Sequence, residues 1–479
     1  MNAPTKPGEL DTYDQLDPAI WKITTVAVLG SFLAQLDATV ANVSLPSLAT
    51  ELHAGLSTIQ WVTSGYLLAL TLALPMSGWL VDRIGAKSVY LWCFAAFTLS
   101  SALCGLAWSA QSLIAFRVIQ GISGGLLAPM AQMMMARAAG KHMARVVGYA
   151  AVPVLLAPIL GPMIAGMILQ HASWRWLFLV NLPFGVLAIV LAAIFLPSDH
   201  KDIRPRELDW IGLILLSPGL VIFLYGSDRI SERTGQLIML AALALLGLFF
   251  WNARHKGDRA LVDLRLFKGR VFPASALTQF LSNGALFAGQ MLIPFYLIRN
   301  CGRSPGEMGW LLAPLGLGMM CTYPLMGALT RRFGIRHVSA GGALLALTGT
   351  LPLLYLANHV LSLTMLAIAL FIRGVGQSAV GIPSMSAAYA SVNRRELPMA
   401  TTTLNIVQRL GGPTFTTLCA TFLGWRLALQ PAAHTPLTPY AFAFALLCAL
   451  HAATAIAALR LPRSMDEVLK LRPAGANVE

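Results

Sequence analysis

Charge is what this sequence has least of. Asp, Glu, Lys and Arg together make up 11% of its 479 residues, against about 25% in a soluble domain. An ordinary water-soluble globule is thereby excluded. Cysteine is sparse as well: the six (Cys93, Cys104, Cys301, Cys321, Cys419 and Cys448) lie scattered, mostly in apolar runs, with no C-x-x-C pair. Neither a disulfide framework nor a metal site is indicated. No G-x-x-x-x-G-K-[ST] loop is present to couple ATP. The apolar runs hold no nucleophile–base pair and no metal-ligand cluster, so the chain reads as something other than an enzyme. No soluble signalling domain is visible, which makes a non-transporting membrane sensor a remote alternative. The first twenty residues are polar and acidic, without the basic flank and short apolar core of a cleavable signal, so the first apolar run is expected to be retained.

What the sequence does have is long apolar runs: 57% of its residues are hydrophobic and mean hydropathy is +0.68. A helix needs roughly 17–25 such residues to span hydrocarbon. Fourteen stretches qualify, near 21–49, 58–81, 88–108, 111–136, 144–170, 175–197, 209–226, 236–253, 272–298, 307–330, 338–357, 361–390, 398–424 and 438–460. The expected fold is therefore an all-α polytopic membrane protein. Of the 34 Lys and Arg, 25 fall on the side of the N-terminus, six on the other, and Arg117, Arg373 and Arg409 within spans. The positive-inside rule then puts both termini in the cytoplasm. The net charge of +14 is loop charge of this kind. It forms no contiguous stripe for phosphates to follow, and nucleic acid is not an expected partner.

The basic stretch Arg254 to Arg270 is the longest internal connection, and GWLVDRIGAK (Gly78 to Lys87) aligns without gaps on GALTRRFGIR (Gly327 to Arg336). Two related halves follow: a six-helix bundle over 21–200, two linking spans in 201–254, a loop at 255–271, and a second six-helix bundle over 272–460. Cytoplasmic tails at 1–20 and 461–479 complete the division. Repeated six-helix bundles around a midplane site are a transporter plan.

Asp37 stands near the middle of the first span and is the one carboxylate placed deep in any apolar run. A charge at the bilayer centre costs roughly 2.5–3.5 kcal/mol on insertion scales and marks function by default; a plain hydrogen bond to a neighbouring helix is the alternative. Desolvation disfavours its charged form, so exposure to one side and then the other would change its proton affinity. That is the minimum equipment for proton-driven transport. Arg117, with Gln120 and Gly121 on the same side of the fourth span, is the economical partner for Asp37. The alternative is an arginine that snorkels to the membrane surface.

LDATVANVSLPSL (Leu36 to Leu48), GWLVDRIGAK, FRVIQGISGG (Phe116 to Gly125), LAPILGPMIAG (Leu156 to Gly166) and WRWLFLVNLPFG (Trp174 to Gly185) occur in that order. Together they resemble the EmrB/QacA-type fourteen-span drug:proton antiporters of the major facilitator superfamily, densely in the first half and loosely in the second. The resemblance implies the major facilitator fold, proton handling by Asp37 and Arg117, and gating by the loop carrying Gly78, Asp82, Arg83, Gly85 and Lys87. This chain has Ala86 where a second basic residue is usual, and its second copy has Arg331 in place of the acid. The fifth span, with Pro158, Gly161, Pro162 and Gly166, resembles the antiporter motif of exporters, with Ala165 in place of a glycine; helix packing is the alternative. Some members of the family also work with a periplasmic adaptor.

Asn42, Gln120, Arg373, Gln408 and Arg409 are candidate cavity residues, and arginines there would favour anionic or polar substrate groups. Met130, Met133, Met134 and Met135 read as helix core or lipid contact before they read as an adaptable ligand surface. Trp61, Trp108, Trp174, Trp176, Trp310 and Trp425 read as interface anchors. The expected function is proton-coupled export of small amphipathic compounds or drugs across the inner (plasma) membrane by alternating access, with the proton gradient as energy source and no cofactor. A dedicated exporter or importer of one metabolite on the same fold is the alternative.

Overall fold

The computed structural model describes residues 17–198, 207–304, 307–429 and 438–471, and the regular structure among them is entirely helical. Of the predicted tails, residues 1–16 and 472–479 lie outside the described residues. α1 (Pro18–Val43) ends at Ser44 and restarts as the short α2 (Leu45–Glu51), with Pro46 in the first turn of the new piece. A first-turn proline costs no hydrogen bond, because its N–H would have no partner within the helix there. α3 (Leu56–Ala73) passes through a 3-10 turn at Leu74–Met76 into α4 (Ser77–Ile84). Gly85, at φ +84°, turns the chain into α5 (Ala86–Gly105), a backbone conformation that other residues enter at a cost. α6 (Ala110–Ala139), α7 (Met143–His171), α8 (Trp176–Leu179) and α9 (Asn181–Phe195) complete the first half. α10 (Trp210–Asp228) and α11 (Arg233–Lys256) follow. The second half runs through α12 (Val271–Arg299), α13 (Met308–Thr322), α14 (Met326–Phe333), α15 (Ile335–Leu356), α16 (Leu363–Ala390), α17 (Leu397–Leu429), α18 (Pro439–Ala458) and the short α19 (Met465–Lys470).

Twelve of the described runs are long and apolar enough to cross a membrane, and one of them, Ala110–His171, contains both α6 and α7. α17 is the fourteenth membrane-length helix. It has 33 residues but is laced with Thr401, Thr402, Thr403, Asn405 and Arg409. A helix enclosed by other helices has no need of a lipid-like surface, and α17 is buried continuously from Leu397 to Ile406.

α1, α3, α5, α6, α7 and α9 pack on one another, as do α12, α13, α15, α16, α17 and α18; α10 pairs with α11 and lies against α3 and α17. Asp209, just ahead of α10, fixes that pair. It accepts hydrogen bonds from Lys256 Nζ at 2.6 Å and from the backbone N–H groups of Gly212 and Leu261 at 2.9 and 3.1 Å.

The two halves share a core at one end only. At the end carrying Gly85, a continuous cluster joins Phe94, Met130 and Met134 to Met326, Met385, Tyr389 and Leu404. At the opposite end the halves have separate cores, one around Leu36, Leu113 and Phe178, the other around Leu292, Tyr296 and Phe444. The closed end is made by close backbone approach: a Cβ on Gly78 would stand 3.1 Å from the Pro398 carbonyl oxygen, and one on Gly148 would overlap the Tyr323 carbonyl oxygen. Ser77 and Thr402 hydroxyls bond at 2.7 Å across the same seam, and Gln132 Oε1 accepts from Tyr389 and Asn405, each at 2.8 Å.

The methionines 130, 133, 134 and 135 are buried in this shared core, so the packing reading is the one the structure shows. Trp174 is a correction. It is 3% exposed and packs edge-on to Phe178 inside the first half, so it anchors nothing at an interface.

Candidate functional site

Asp37 lies on the inner face of α1 and is 2% exposed. Three helices bring partners to it. From α6, Arg117 NH1 donates to Oδ2 at 2.5 Å and Gln120 Nε2 to Oδ1 at 3.2 Å. From α9, Asn181 Nδ2 donates to Oδ1 at 2.8 Å and also to Ser101 Oγ of α5 at 3.1 Å. The Ser101 hydroxyl in turn donates a hydrogen bond to the Phe178 carbonyl at 2.9 Å. Both carboxylate oxygens are therefore occupied, and by a cation that is itself fully buried. Removing one member of such a pair strands the other charge, at a cost of about 3–5 kcal/mol.

Arg117 does not snorkel. Its Nε donates to the Val62 carbonyl at 3.2 Å, its NH1 also reaches Gln120 Oε1 at 2.7 Å, and its guanidinium lies 4.1 Å from the centre of the Tyr66 ring. Arg117 and Gln120 sit three residues apart on α6 and so share a face. That is why the two of them, rather than their neighbours, meet Asp37. One turn beyond, a Cβ on Gly121 would collide with the Tyr66 backbone, so glycine there lets α3 close on α6 and bring Tyr66 over the guanidinium.

The other predicted residues divide. Gly161 meets α1: a Cβ there would stand 2.8 Å from Thr39, two residues beyond Asp37, so α7 packs directly against the acid-bearing helix. Pro162 is exposed, Gly166 has open space around it, and the Pro158 side chain lies outside the described residues. Gly78 faces α17 across the seam, with Asp82 half-buried on the same short helix and Arg83 exposed over the Trp79 ring at 5.5 Å. Lys87 bonds within its own half, donating to the Ala193 and Leu196 carbonyls at 2.8 Å each and so capping the end of α9. Asn42 is exposed and outside the Asp37 cluster.

Arg373 is buried inside the second half, 1% exposed. Its NH2 donates to the Ala285 carbonyl at 2.9 Å, while Nε and NH1 have no partner. α12 thus presents a backbone oxygen to the second-half arginine, where α1 presents a carboxylate to Arg117. Gln408 does line a cavity, of about 210 Å³, set between α7 and the second half. It donates to Gln279 Oε1 at 3.0 Å, and Asn283 and Gln377 line the same space. Arg409, its neighbour, is half-buried.

Sequence reasoning missed Asn181, Ser101 and Tyr66. Asn181 stands inside WRWLFLVNLPFG as the one amide of that stretch, which was the available signal. Ser101 and Tyr66 have none, because isolated hydroxyls are common in apolar spans.

The sequence matches the model of the Major Facilitator Superfamily over residues 27–251 and 275–474. It is 33% identical over 427 residues to the multidrug resistance protein B homolog of Mycobacterium tuberculosis, covering 88% of this chain and 79% of that one. It is 30% identical over 371 residues to the putative multidrug resistance protein MdtD of Serratia proteamaculans, covering 75% of each. Among solved structures, the human organic anion transporter MFSD10 (TETRAN) superposes with a TM-score of 0.66 over 92% of this chain and 100% of that one. At 18% identity, that likeness speaks to the fold alone.

Proposed function

The chain belongs to the major facilitator superfamily, and from that premise we propose that it exchanges protons for small amphipathic compounds, carrying the compounds out of the cell. It is a multi-pass membrane transporter, not an enzyme, and it takes small-molecule substrates within a lipid bilayer. The observation that carries the proton reading is the buried Asp37–Arg117 pair. A carboxylate sealed under an arginine can be protonated only when the pair opens, which ties proton entry to a change in helix packing. Asp37 is also the sole described carboxylate more than a turn from a helix end, so the coupling proton has one residue to occupy.

Two bundles, 21–200 and 272–460, rock about this site with the pair in 201–254 between them. The seam formed by Gly78, Asp82, Arg83 and Gly85 opposite α17 is the gate. The excess of basic residues at the closed end favours a cytoplasmic position for it, and on that reading the arrangement described is the one that faces outward. Export is favoured over uptake by the seating of Gly161 against α1 and by the multidrug resistance names of the relatives. The proton gradient is the energy source, and neither a cofactor nor an adaptor is invoked. Purified protein in liposomes, given an imposed pH gradient, tests the reading: wild type moves substrate and Asp37→Asn does not. Undiminished gradient-driven flux in the variant overturns it.

A further inference from the structure

The cavity of about 210 Å³ between α7 and the second half is lined by no charged side chain among the described residues. Its polar wall is made of amides, and backbone carbonyls fix which way they point. A carbonyl can only accept, so it is the Gln279 nitrogen that meets Gly381 at 2.5 Å and the Gln377 nitrogen that meets Ser282 at 2.7 Å. The Asn283 nitrogen meets the Gln279 carbonyl at 3.1 Å in the same way. Gln279 is thereby turned to present Oε1 to Gln408, which answers with its own nitrogen at 3.0 Å. Gln279, Asn283 and Gln377 each donate twice to protein acceptors. The oxygens left over, Asn283 Oδ1, Gln377 Oε1 and Gln408 Oε1, accept from no described residue and are not sealed in by the protein. Against these three acceptors the wall keeps one spare N–H on Gln408, and Tyr323, whose hydroxyl serves either way.

We propose that this cavity holds the polar end of the transported compound, and that this end is uncharged and donates hydrogen bonds through hydroxyl or amide N–H groups. The proposal rests on the transport reading above and narrows its substrate class. An anion brings lone pairs to a wall of lone pairs. A cation brings donors, but it would lie in an enclosed space without a counter-charge, which is costly. A neutral donor satisfies the free oxygens and adds no charge. The space is smaller than the roughly 300–1,000 Å³ of a site that encloses a drug-sized ligand, so it takes one end of such a compound. Leu286, Met319 and Met385 line it too, and methionines adapt to varied shapes where the apolar body begins. Val147 and Ala151 of α7 close the first-half side, so an occupant touches both halves. Asp37, which already accepts from Arg117, Gln120 and Asn181, is not among the lining residues. Substrate and proton therefore sit on different residues.

A dansyl amide series with one common linker tests this, ending in a vicinal diol, its dimethyl ether, a primary ammonium or a carboxylate. Each is titrated by anisotropy into wild-type protein in nanodiscs, with empty nanodiscs as the blank. The diol is expected to bind about tenfold more tightly than the ether, the effect of two modest hydrogen bonds, and more tightly than either ion. Gln408→Met and Asn283→Leu each remove one acceptor at similar size, and each is expected to narrow the diol-to-ether ratio; the double variant brings it near one. The affinity of the ether, which needs no acceptor, reports that the site in each variant is still folded. An ether that matches the diol, an ion that binds more tightly than the diol, a ratio that survives the double variant, or no binding of any probe each overturns the proposal. Flux in liposomes separates it from the coupling reading. If the diol preference stands while Asp37→Asn retains gradient-driven flux, the proton reading fails alone; if wild type couples flux to the gradient but shows no diol preference, this proposal fails alone.

Discussion

Asn181 reaches Asp37 across 144 residues of chain, its amide 2.8 Å from Oδ1, and is held there by Ser101 at 3.1 Å on its other side. The carboxylate is therefore gripped from two sides, by a charge on α6 and by a neutral donor on α9. Since α9 closes the first bundle, this contact reports directly on how that bundle is packed around the acid.

Asn181→Ala leaves one carboxylate oxygen with only the longer bond from Gln120, at 3.2 Å. A hydrogen bond to a charged group contributes about 1.5–3 kcal/mol. Gradient-driven flux is expected to fall by about tenfold or more, since each 1.4 kcal/mol is a factor of ten, with the protein still monodisperse in detergent. Ser101→Ala, which only loosens the amide, is expected to give a smaller loss. Flux in Asn181→Ala within twofold of wild type contradicts the assignment.

Arg117→Ala strands Asp37 without a counter-charge and removes the buried pair whose opening the proton reading depends on. Transport down a substrate gradient is expected to continue while the response to an imposed pH gradient disappears. Arg117→Lys keeps the charge but not the planar fork that bonds Asp37, Gln120 and the Val62 carbonyl together, so partial coupling is expected. Paired measurements of counterflow and gradient-driven uptake in liposomes decide between loss of coupling and loss of protein.

Asp37, Arg117 and Gln120 were legible in the sequence because each is an expensive residue in a greasy run, and because two of them share a helix face. Their partners were not, since Asn181 joins them only through tertiary packing. The same limit applies to Gln408: its position on α17 could be read, but its bond to Gln279 depends on how two helices of the second half meet. Hydropathy found the spans because lipid enforces it on outward faces. It says less about α17, whose Thr401, Thr402 and Thr403 face protein and could be polar without penalty. Lys87, read as part of a gating loop from its place beside Gly85, spends its charge on carbonyls of its own half; spacing alone does not show where a long side chain will turn.

The Asp209 staple gives a pH signature outside the membrane-spanning helices. Burial pushes this carboxyl up, but Lys256 and the backbone N–H groups of Gly212 and Leu261 outweigh it and hold the group below the ordinary 3.8. A depressed carboxyl stabilises the fold fully above its unfolded value, and the contribution is lost as pH falls through the folded one. Asp209→Asn is therefore expected to melt at lower temperature than wild type at pH 7. The gap should narrow only as pH drops below 3.8, when wild type loses the same charge. Thermal melts in detergent at a series of pH values check this, and a gap that persists unchanged at the acid end refutes it.

The closed end makes the most direct conformational prediction. Gly148 packs so tightly on the Tyr323 carbonyl that any side chain there overlaps it, and the obstruction is backbone rather than a flexible side-chain tip. Gly148→Val is therefore incompatible with the closed seam, while α7 itself tolerates valine and already carries Val146 and Val147 beside it. The variant is expected to populate the arrangement in which the Gly85 end is open. Spin labels at Lys141→Cys and Arg395→Cys, with the native cysteines replaced, report the separation of the halves at that end. A shift to longer distances in Gly148→Val is the expected result. An unchanged distribution in folded protein would mean that the seam yields locally, and that glycine at this position is not what lets the two halves meet.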